Sequence, residues 1–178
     1  MSAISPPIPI PHQTAERFQA FLTKPEDRTA AQKEIAAYSD SRIDEIRLAD
    51  VIVLGLPMYN YGIPSMLQSY FDHVGRAGAT FRYTETGRVG AFPGKRLYVF
   101  AARGGVHAGT ERNTQIDQVK NFFQLIGVTK VEVIYAEGIG MGDAAKTASI
   151  TKAKAQMIDL LAHAGARDRT DEVMAKAA

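Results

Sequence analysis

The chain has 178 residues and a formal net charge of +2, with 46% hydrophobic and 22% charged residues, which fits one soluble domain with its own core. So small a charge, with no basic stripe, argues against nucleic acid binding. The absence of cysteine excludes disulfides, thiolate metal sites and cysteine nucleophiles. The four histidines have no i, i+4 spacing, so a histidine metal site is not expected. No secretory signal or membrane-length apolar stretch is found, and a cytoplasmic location is expected by default.

The chain opens with a proline-rich lead-in, residues 1–13. Four prolines between positions 6 and 11 favour an extended conformation and exclude a central strand. We expect the lead-in to be disordered or to lie on the surface. A short helix is predicted over residues 14–22, and a longer one with apolar residues on one face over 29–48.

The organising stretch is residues 51–62, V-I-V-L-G-L-P-M-Y-N-Y-G. Its run of branched aliphatic residues predicts a strand buried on both faces, as in parallel sheets. Pro57 ends the strand because it has no N–H for a ladder. The loop that follows lies where open α/β sheets usually bind ligands, at the carboxyl end of a parallel strand.

A helix is predicted over residues 64–76, followed by a turn-rich segment, residues 80–94. The centre of that segment, T-F-R-Y-T, alternates in polarity and predicts a short hairpin arm. The remaining predicted elements are a strand over 96–102, a helix over 115–126, a strand over 130–136 and a helix over 144–162. Residues 165–178 form a polar tail that is expected to fray.

This alternation of helices and strands predicts a single α/β domain over residues 1–178. Right-handed crossovers give a parallel sheet with helices on both faces. The sequence predicts three strands for this sheet.

Two loops, residues 58–62 and 102–107, follow consecutive strands and are expected to meet at one edge of the sheet. Tyr59 and Tyr61 can stack on a planar ligand, while backbone N–H groups and Asn60 bond its polar rim. Gly104 and Gly105 offer N–H groups with no side chain in the way. The alternative is that these are ordinary loop residues.

The histidines and the last glycine cluster give weaker signals. His107 follows the double glycine and either donates a hydrogen bond in this site or has a structural role. His73, on a predicted helix among apolar neighbours, is expected to be structural. The glycines of residues 137–142 match a dinucleotide fingerprint neither in spacing nor in place.

Five segments resemble the FMN-dependent NADH azoreductases, which are also NAD(P)H:quinone oxidoreductases of flavodoxin-like fold. They are P-M-Y-N-Y, R-A-G-A-T-F-R-Y-T-E-T-G, A-R-G-G-V-H, F-F-Q-L-I-G-V and A-E-G-I. The resemblance runs from about residue 35 to about residue 162. The site residues that it implies are Met58, Tyr59, Asn60 and Tyr61 in one flavin loop, Ala102, Arg103, Gly104 and Gly105 in a second, His107 near the flavin pyrimidine edge, and Tyr83 and Phe122 on the substrate side.

The resemblance also implies the chemistry and the partners. FMN is the cofactor and NAD(P)H the co-substrate, and electrons pass to a quinone or an azo compound in a ping-pong reaction. No metal is implied, and no side chain is assigned a catalytic role beyond holding the flavin. A homodimer is expected, with the flavin near the subunit interface. The choice between NADH and NADPH and the physiological acceptor stay open.

Two departures from the family pattern carry further expectations. Position 102 is Ala where Ser is common, which removes one hydroxyl contact. The strand, Ser-rich phosphate loop, helix and second strand with which the family begins are not found, so the strand at residue 51 is expected at an exposed edge. Either the sequence is a piece of a longer protein, or a short form exists and is impaired. Weak FMN retention is expected, and the alternative function is a non-catalytic remnant that acts only as an interaction or dimerisation module.

Overall fold

The computed structural model describes residues 9–176, which form five α-helices and five strands. The helices are α1 (Ala15–Leu22), α2 (Ala30–Leu48), α3 (Ser65–Val74), α4 (Thr114–Leu125) and α5 (Asp143–Lys176). The strands are β1 (Val51–Pro57), β2 (Phe81–Thr84), β3 (Gly87–Gly90), β4 (Arg96–Ala102) and β5 (Lys130–Ala136).

Three parallel strands form the main sheet in the order β1-β4-β5. The register pairs Pro57 with Ala102, and Ala102 with Ala136. The carboxyl ends of all three strands therefore lie side by side, and the loops that leave them share one edge of the sheet.

β4 is the central strand, and both of its faces are covered. Leu97 and Val99 belong to the hydrophobic core, to which α2, α3 and α4 contribute their apolar residues. Successive side chains of a strand point to opposite faces of the sheet, so Tyr98 faces the other side, where it is also buried. α5 contacts β5 and buries Ala153 outside that core. The predicted α/β class, a parallel sheet with helices on both faces, is confirmed.

β1 lies at the edge of the sheet, as the resemblance led us to expect. Ile52 and Leu56 are buried in the core, whereas Val51 and Gly55 are exposed. The prediction from composition, a strand buried on both faces, is therefore wrong. The reason is that, between residues 9 and 176, no strand pairs with the outer edge of β1.

The described part of the lead-in is packed against the core. Ile10 is 6% exposed and joins the core cluster, and the carbonyl oxygen of Pro11 accepts a hydrogen bond from Nε2 of His73 at 2.9 Å. We call residues 9–13 the strap. For the strap, the prediction of a disordered segment is wrong, because Ile10 has an apolar site to fill. Its alternative, a segment that lies on the surface, agrees with the exposure of Pro9 and His12. Residues 1–8 of the lead-in lie outside the described residues.

The other predicted elements occur within two residues of their expected bounds, except the last helix. α5 continues to Lys176, so the tail that was predicted to fray from residue 165 is helical. The sequence there has no proline and contains four Ala and two Arg, both of which favour helix.

The predicted hairpin arm is present as β2 and β3, an antiparallel pair that stands apart from the main sheet. Its base rests on the end of α4, where a Cβ added at Gly90 would lie 2.1 Å from the backbone nitrogen of Gly127. The N–H of Phe92 donates to the carbonyl of Ile126 at 2.9 Å. The base of the arm is thus fixed by a close backbone approach that only glycine allows.

Among the described residues, no helix combines the length and the apolar character that crossing a membrane requires. The same residues hold no cluster of three or more histidine, aspartate or glutamate side chains suited to a metal ion.

Candidate functional site

Two loops leave the paired ends of β1 and β4 and meet at the carboxyl edge of the sheet. We call residues 58–62 the first loop and residues 102–107 the second loop. The N–H of Met58 donates to the carbonyl of Ala102 at 3.2 Å, so the ladder between the strands extends into the loops. The sequence predicted this meeting, and the structure places the loops as predicted.

The first loop closes in a tight turn. Tyr59 and Gly62 exchange backbone hydrogen bonds of 3.2 and 2.8 Å, and Asn60 and Tyr61 have φ of 48° and 62°. Two successive residues with positive φ are typical of a type I′ turn, which favours Asn and Gly. Asn60 suits the turn, whereas an ordinary residue such as Tyr61 loses about 1–2 kcal/mol in this conformation. Strain of this kind persists only where the surroundings enforce it.

The turn presents two tyrosine rings to solvent. Tyr59 is 61% and Tyr61 52% exposed. The Tyr61 ring meets the His107 ring edge-on, with 5.5 Å between centroids. The guanidinium carbon of Arg112 lies 5.8 Å from the centroid of the Tyr61 ring. His107 therefore lies beside the first loop rather than in the core.

Two glycines give the second loop an open, donor-rich backbone. A Cβ added at Gly104 would meet no atom within 4 Å, whereas one at Gly105 would lie 2.9 Å from Nε2 of His107. The carbonyls of Gly104 and Gly105 accept hydrogen bonds from Gly140 and Gly138 at 3.0 and 2.9 Å. Within the part of the chain that the structure describes, the N–H groups of Gly104 and Gly105 have no acceptor. They are free to bond a ligand.

The glycine-rich residues 137–142 form a third loop, after β5. A Cβ added at Gly140 would lie 3.3 Å from the carbonyl oxygen of Gly104, so the third loop packs directly under the second. Its glycines support the second loop, which agrees with their failure to match a dinucleotide fingerprint.

Arg103 turns away from the ligand side of the second loop. Its side chain is buried, with the residue 1% exposed, and its guanidinium bonds Oε1 of Glu137 at 3.1 Å and Oδ1 of Asn113 at 2.7 Å. The guanidinium carbon lies 4.9 Å from the centroid of the Tyr135 ring. Arg103 can therefore meet a ligand only through its backbone.

Glu137 fixes the backbone at the end of the second loop through hydrogen bonds. Its Oε1 accepts hydrogen bonds from the backbone N–H of His107 at 2.8 Å and of Ala108 at 2.9 Å, besides the bond from Arg103. Charge-assisted bonds of this kind are stronger than neutral ones. Glu137 was not predicted as a site residue, although its position immediately after a parallel strand is a signal that could have found it.

Gln115, the second residue of α4, is also a site residue that the sequence did not reveal. It is fully buried, and its Nε2 donates to the carbonyls of Pro57 at 2.7 Å and Gly62 at 3.1 Å. A glutamine near the start of an amphipathic helix gives no signal of such a role.

The two predicted substrate-side residues lie apart from the loops. Tyr83 is on the arm and 76% exposed. Phe122, on α4, stacks on Phe71 with 3.8 Å between ring centroids and lines a pocket of about 540 Å³ between α1, α3 and α4. None of the contacts among the described residues joins Tyr83 or Phe122 to either loop.

The side chains with shifted pKa also lie outside the site, on α3. Burial lowers the pKa of His73 and raises the pKa of Tyr70. The site itself acts through backbone donors, aromatic rings and the buried Arg103–Glu137 pair.

These features fit the ring of a planar, polar-edged cofactor. Gly104 leaves space for a flat ring to approach the backbone, and the adjoining N–H groups offer hydrogen bonds to its polar edge. The exposed tyrosine rings offer stacking surfaces beside it.

Comparisons with known proteins agree with this geometry. Residues 6–161 match a protein family described by its flavodoxin-like fold. The chain is 51% identical over 150 residues to a protein of Alcanivorax borkumensis named FMN-dependent NADH:quinone oxidoreductase, a match that covers 84% of this chain and 76% of that protein. It is 50% identical over 133 residues to a protein of the same name from Cellvibrio japonicus, covering 75% of this chain and 67% of that protein.

A solved structure is similar as well. The crystal structure of an azoreductase from Bacillus anthracis str. Sterne superposes with a TM-score of 0.72 at 27% identity. This match covers 81% of the present chain and 74% of the azoreductase.

Proposed function

The chain belongs to the family with the flavodoxin-like fold, as the resemblance implied, and we propose that it is an FMN-dependent oxidoreductase. It carries electrons from NAD(P)H to quinones and azo compounds. The observation that carries the proposal is the meeting of the two loops, with the acceptor-free N–H groups of Gly104 and Gly105 beside the exposed rings of Tyr59 and Tyr61. The similarity to FMN-dependent NADH:quinone oxidoreductases supports it.

When bound, FMN supplies the hydride and electron chemistry, which needs no nucleophile or metal from the protein. The chain's own residues bind and orient the ring. The first loop, Met58 to Tyr61, borders one side of the ring, and the backbone from Ala102 to Gly105 bonds its polar edge. His107, held against Tyr61, donates a hydrogen bond at the pyrimidine edge, where negative charge develops on reduction.

NAD(P)H and the acceptor use the same open face in turn, as a ping-pong reaction allows. The exposed tyrosine rings favour planar aromatic acceptors, which stack on them. A cytoplasmic location belongs to the same proposal, because that compartment supplies NAD(P)H.

A homodimer is the second part of the proposal, and the arm supports it. An isolated two-stranded hairpin is only marginally stable in water, yet β2 and β3 leave Tyr83 76% and Val89 42% exposed. A second copy that covers the arm would bury these side chains. Such an arrangement also brings Tyr83 and Phe122 to the substrate side of a partner's flavin.

A non-catalytic interaction module is the second candidate function. The outer edge of β1 favours it, since that edge borders an apolar groove of about 280 Å³ lined by residues such as Ile10, Leu54 and Leu67. Uncovered strand edges are templates for pairing with another chain.

Titration of the purified 178-residue chain with FMN tests the proposal. We expect added FMN to bind with quenching of its fluorescence, and the FMN-supplemented protein to bleach a quinone in the presence of NADH. The resemblance leads us to expect a dissociation constant for FMN above the micromolar range. Micromolar or tighter binding would contradict this expectation but not the proposed function. Analytical ultracentrifugation tests the dimer.

A colourless, aggregating preparation that neither binds FMN nor oxidises NADH contradicts the enzyme and supports the interaction module. A flavin-bound protein that reduces quinones but not azo compounds keeps the oxidoreductase and removes the azoreductase part.

A further inference from the structure

The turn of the first loop is held in an unfavourable conformation. Tyr61 has a φ of 62° directly after Asn60 with a φ of 48°, and a bulky side chain rarely adopts this region. The two hydrogen bonds between Tyr59 and Gly62 close the turn, but a type I′ turn of this kind forms readily with Asn-Gly and poorly with Asn-Tyr. Some further contact must hold it.

Gln115 makes that contact from inside the protein. Its Nε2 donates to the carbonyl of Pro57, just before the loop, at 2.7 Å and to the carbonyl of Gly62, at its end, at 3.1 Å. One buried amide group therefore bonds the backbone on both sides of the turn. The side chain is fully buried, so water does not compete for these bonds.

The same side chain reaches the second loop through its other end. Oε1 of Gln115 accepts a hydrogen bond from Nη2 of Arg103 at 3.3 Å. Arg103 is held in turn by Glu137, which fixes the backbone of His107. The amide of Gln115 is thus the only side chain among the described residues whose hydrogen bonds touch both loops.

We propose that Gln115 is a positioning residue that clamps the Tyr59–Gly62 turn in its flavin-binding conformation and ties it to the second loop. The inference rests on the proposed function, and it adds a residue of α4 to the residues that the resemblance implied. Its chemistry needs a carboxamide, because two carbonyl oxygens require a donor and the guanidinium requires an acceptor, and a carboxamide carries both on one terminal group.

Gln115→Met tests the clamp, since it keeps the length of the side chain and removes both hydrogen-bonding ends. We expect FMN to bind about tenfold more weakly, as a ligand does when its site loses preorganisation, and the visible circular dichroism of bound flavin to change. Gln118→Met is the matched control on the same helix. Gln118 is exposed and bonds only Gln68, so its loss should change FMN affinity by less than twofold.

Tyr61→Gly separates a clamp from a general loss of stability. Glycine adopts positive φ without strain, so the turn then needs the clamp less. We expect the double variant to bind FMN no more than threefold more weakly than Tyr61→Gly alone. An equal loss with and without Tyr61→Gly, or FMN affinity within twofold of wild type in Gln115→Met, overturns the proposal. If Gln115→Met does not fold, Gln115→Asn, one methylene shorter with the amide kept, gives the same comparison.

A measurement without flavin separates this proposal from the proposed function. Amide hydrogen exchange of Tyr59 and Gly62, whose N–H groups close the turn, is read by NMR on the apoprotein. We expect faster exchange in Gln115→Met and unchanged exchange in Gln118→Met. If wild type binds no FMN, the proposed function fails, and unchanged exchange in Gln115→Met overturns the clamp independently.

Discussion

The carboxyl edge of the main sheet and the outer edge of β1 belong to the same sheet but are closed in different ways. At the carboxyl edge, the side chains of Arg103 and Gln115 are almost fully buried and joined in one hydrogen-bonded network. At the outer edge, Val51 is 42% exposed, and the apolar groove beside the strand is lined by Ile10 of the strap and by residues of α3 such as Leu67.

This difference indicates that the geometry of the protein is fixed more strictly at the carboxyl edge than at the outer edge. A buried polar network is costly where a member lacks a partner, as Nε of Arg103 does among the described residues, but its bonded members hold one arrangement. The carboxyl edge uses such a network to hold loops that are otherwise strained. The outer edge relies mainly on apolar contact, which is not directional, and the strap there is held by a hydrogen bond from His73 to Pro11.

The largest effect is expected from Glu137→Gln, which tests whether the network fixes the site. The substitution leaves the buried Arg103 guanidinium without its charge partner. Breaking one side of a buried ion pair costs about 3–5 kcal/mol, and since Glu137 is partly exposed we expect about 3 kcal/mol less free energy of unfolding by urea denaturation.

Asp44→Asn is the matched control for this measurement. Asp44 pairs with Arg47 on the surface, and both side chains are more than half exposed. Such pairs contribute about 0–1 kcal/mol. Equal losses in the two variants mean that the network at the carboxyl edge is no more important than a surface ion pair.

The sequence predicted the main sheet well because its signals are local. Short apolar runs that end at Pro57 and shortly before the double glycine predicted both strands and both loops of the site. The network could not be predicted in this way, since Gln115 reaches the first loop, and Glu137 reaches His107, through contacts 30 or more residues distant in the chain. The packing of Ile10 was missed for a related reason. Proline spacing describes the backbone, but the site that Ile10 fills exists only after folding.

A smaller effect, on binding rather than on folding, is expected from Gly104→Ala. The added methyl group meets no protein atom within 4 Å, so the free energy of unfolding should stay the same or rise slightly. In the proposed binding mode the methyl group would stand where the flat ring approaches, and we expect FMN to bind about tenfold more weakly, or about 1.4 kcal/mol. Flavin fluorescence titration measures the change, with Gly55→Ala as the control far from the loops. Unchanged affinity would place the ring elsewhere.

The packing of His73 against the strap is expected to make the stability of the protein depend on pH. Burial lowers the pKa of His73 below its ordinary 6.5. Nε2 donates to Pro11, while the buried Nδ1 has no partner among the described residues, so a second proton there is unfavourable. Below pH 6.5 the unfolded chain takes up a proton that the folded chain refuses, and stability falls as the pH drops. We expect thermal melts of wild type between pH 7 and pH 5 to show a steeper fall than those of His73→Gln, which keeps a donor to Pro11. Parallel curves would show that protonation of His73 does not cause the loss of stability at low pH.

The smallest effect is expected from Gly55, on the exposed side of β1. A Cβ there meets no atom within 4 Å, and glycine inside a strand is unfavourable because it loses more conformational freedom on folding than other residues. Gly55→Ala should therefore raise the free energy of unfolding by about 0.5 kcal/mol, and Gly55→Val by somewhat more, since branched residues favour strands. Gly90→Ala, where the added Cβ collides with Gly127, should destabilise the protein in the same assay. A loss of stability at Gly55 would mean that this side of β1 is covered in the folded protein, and the contrast between the two edges would then disappear.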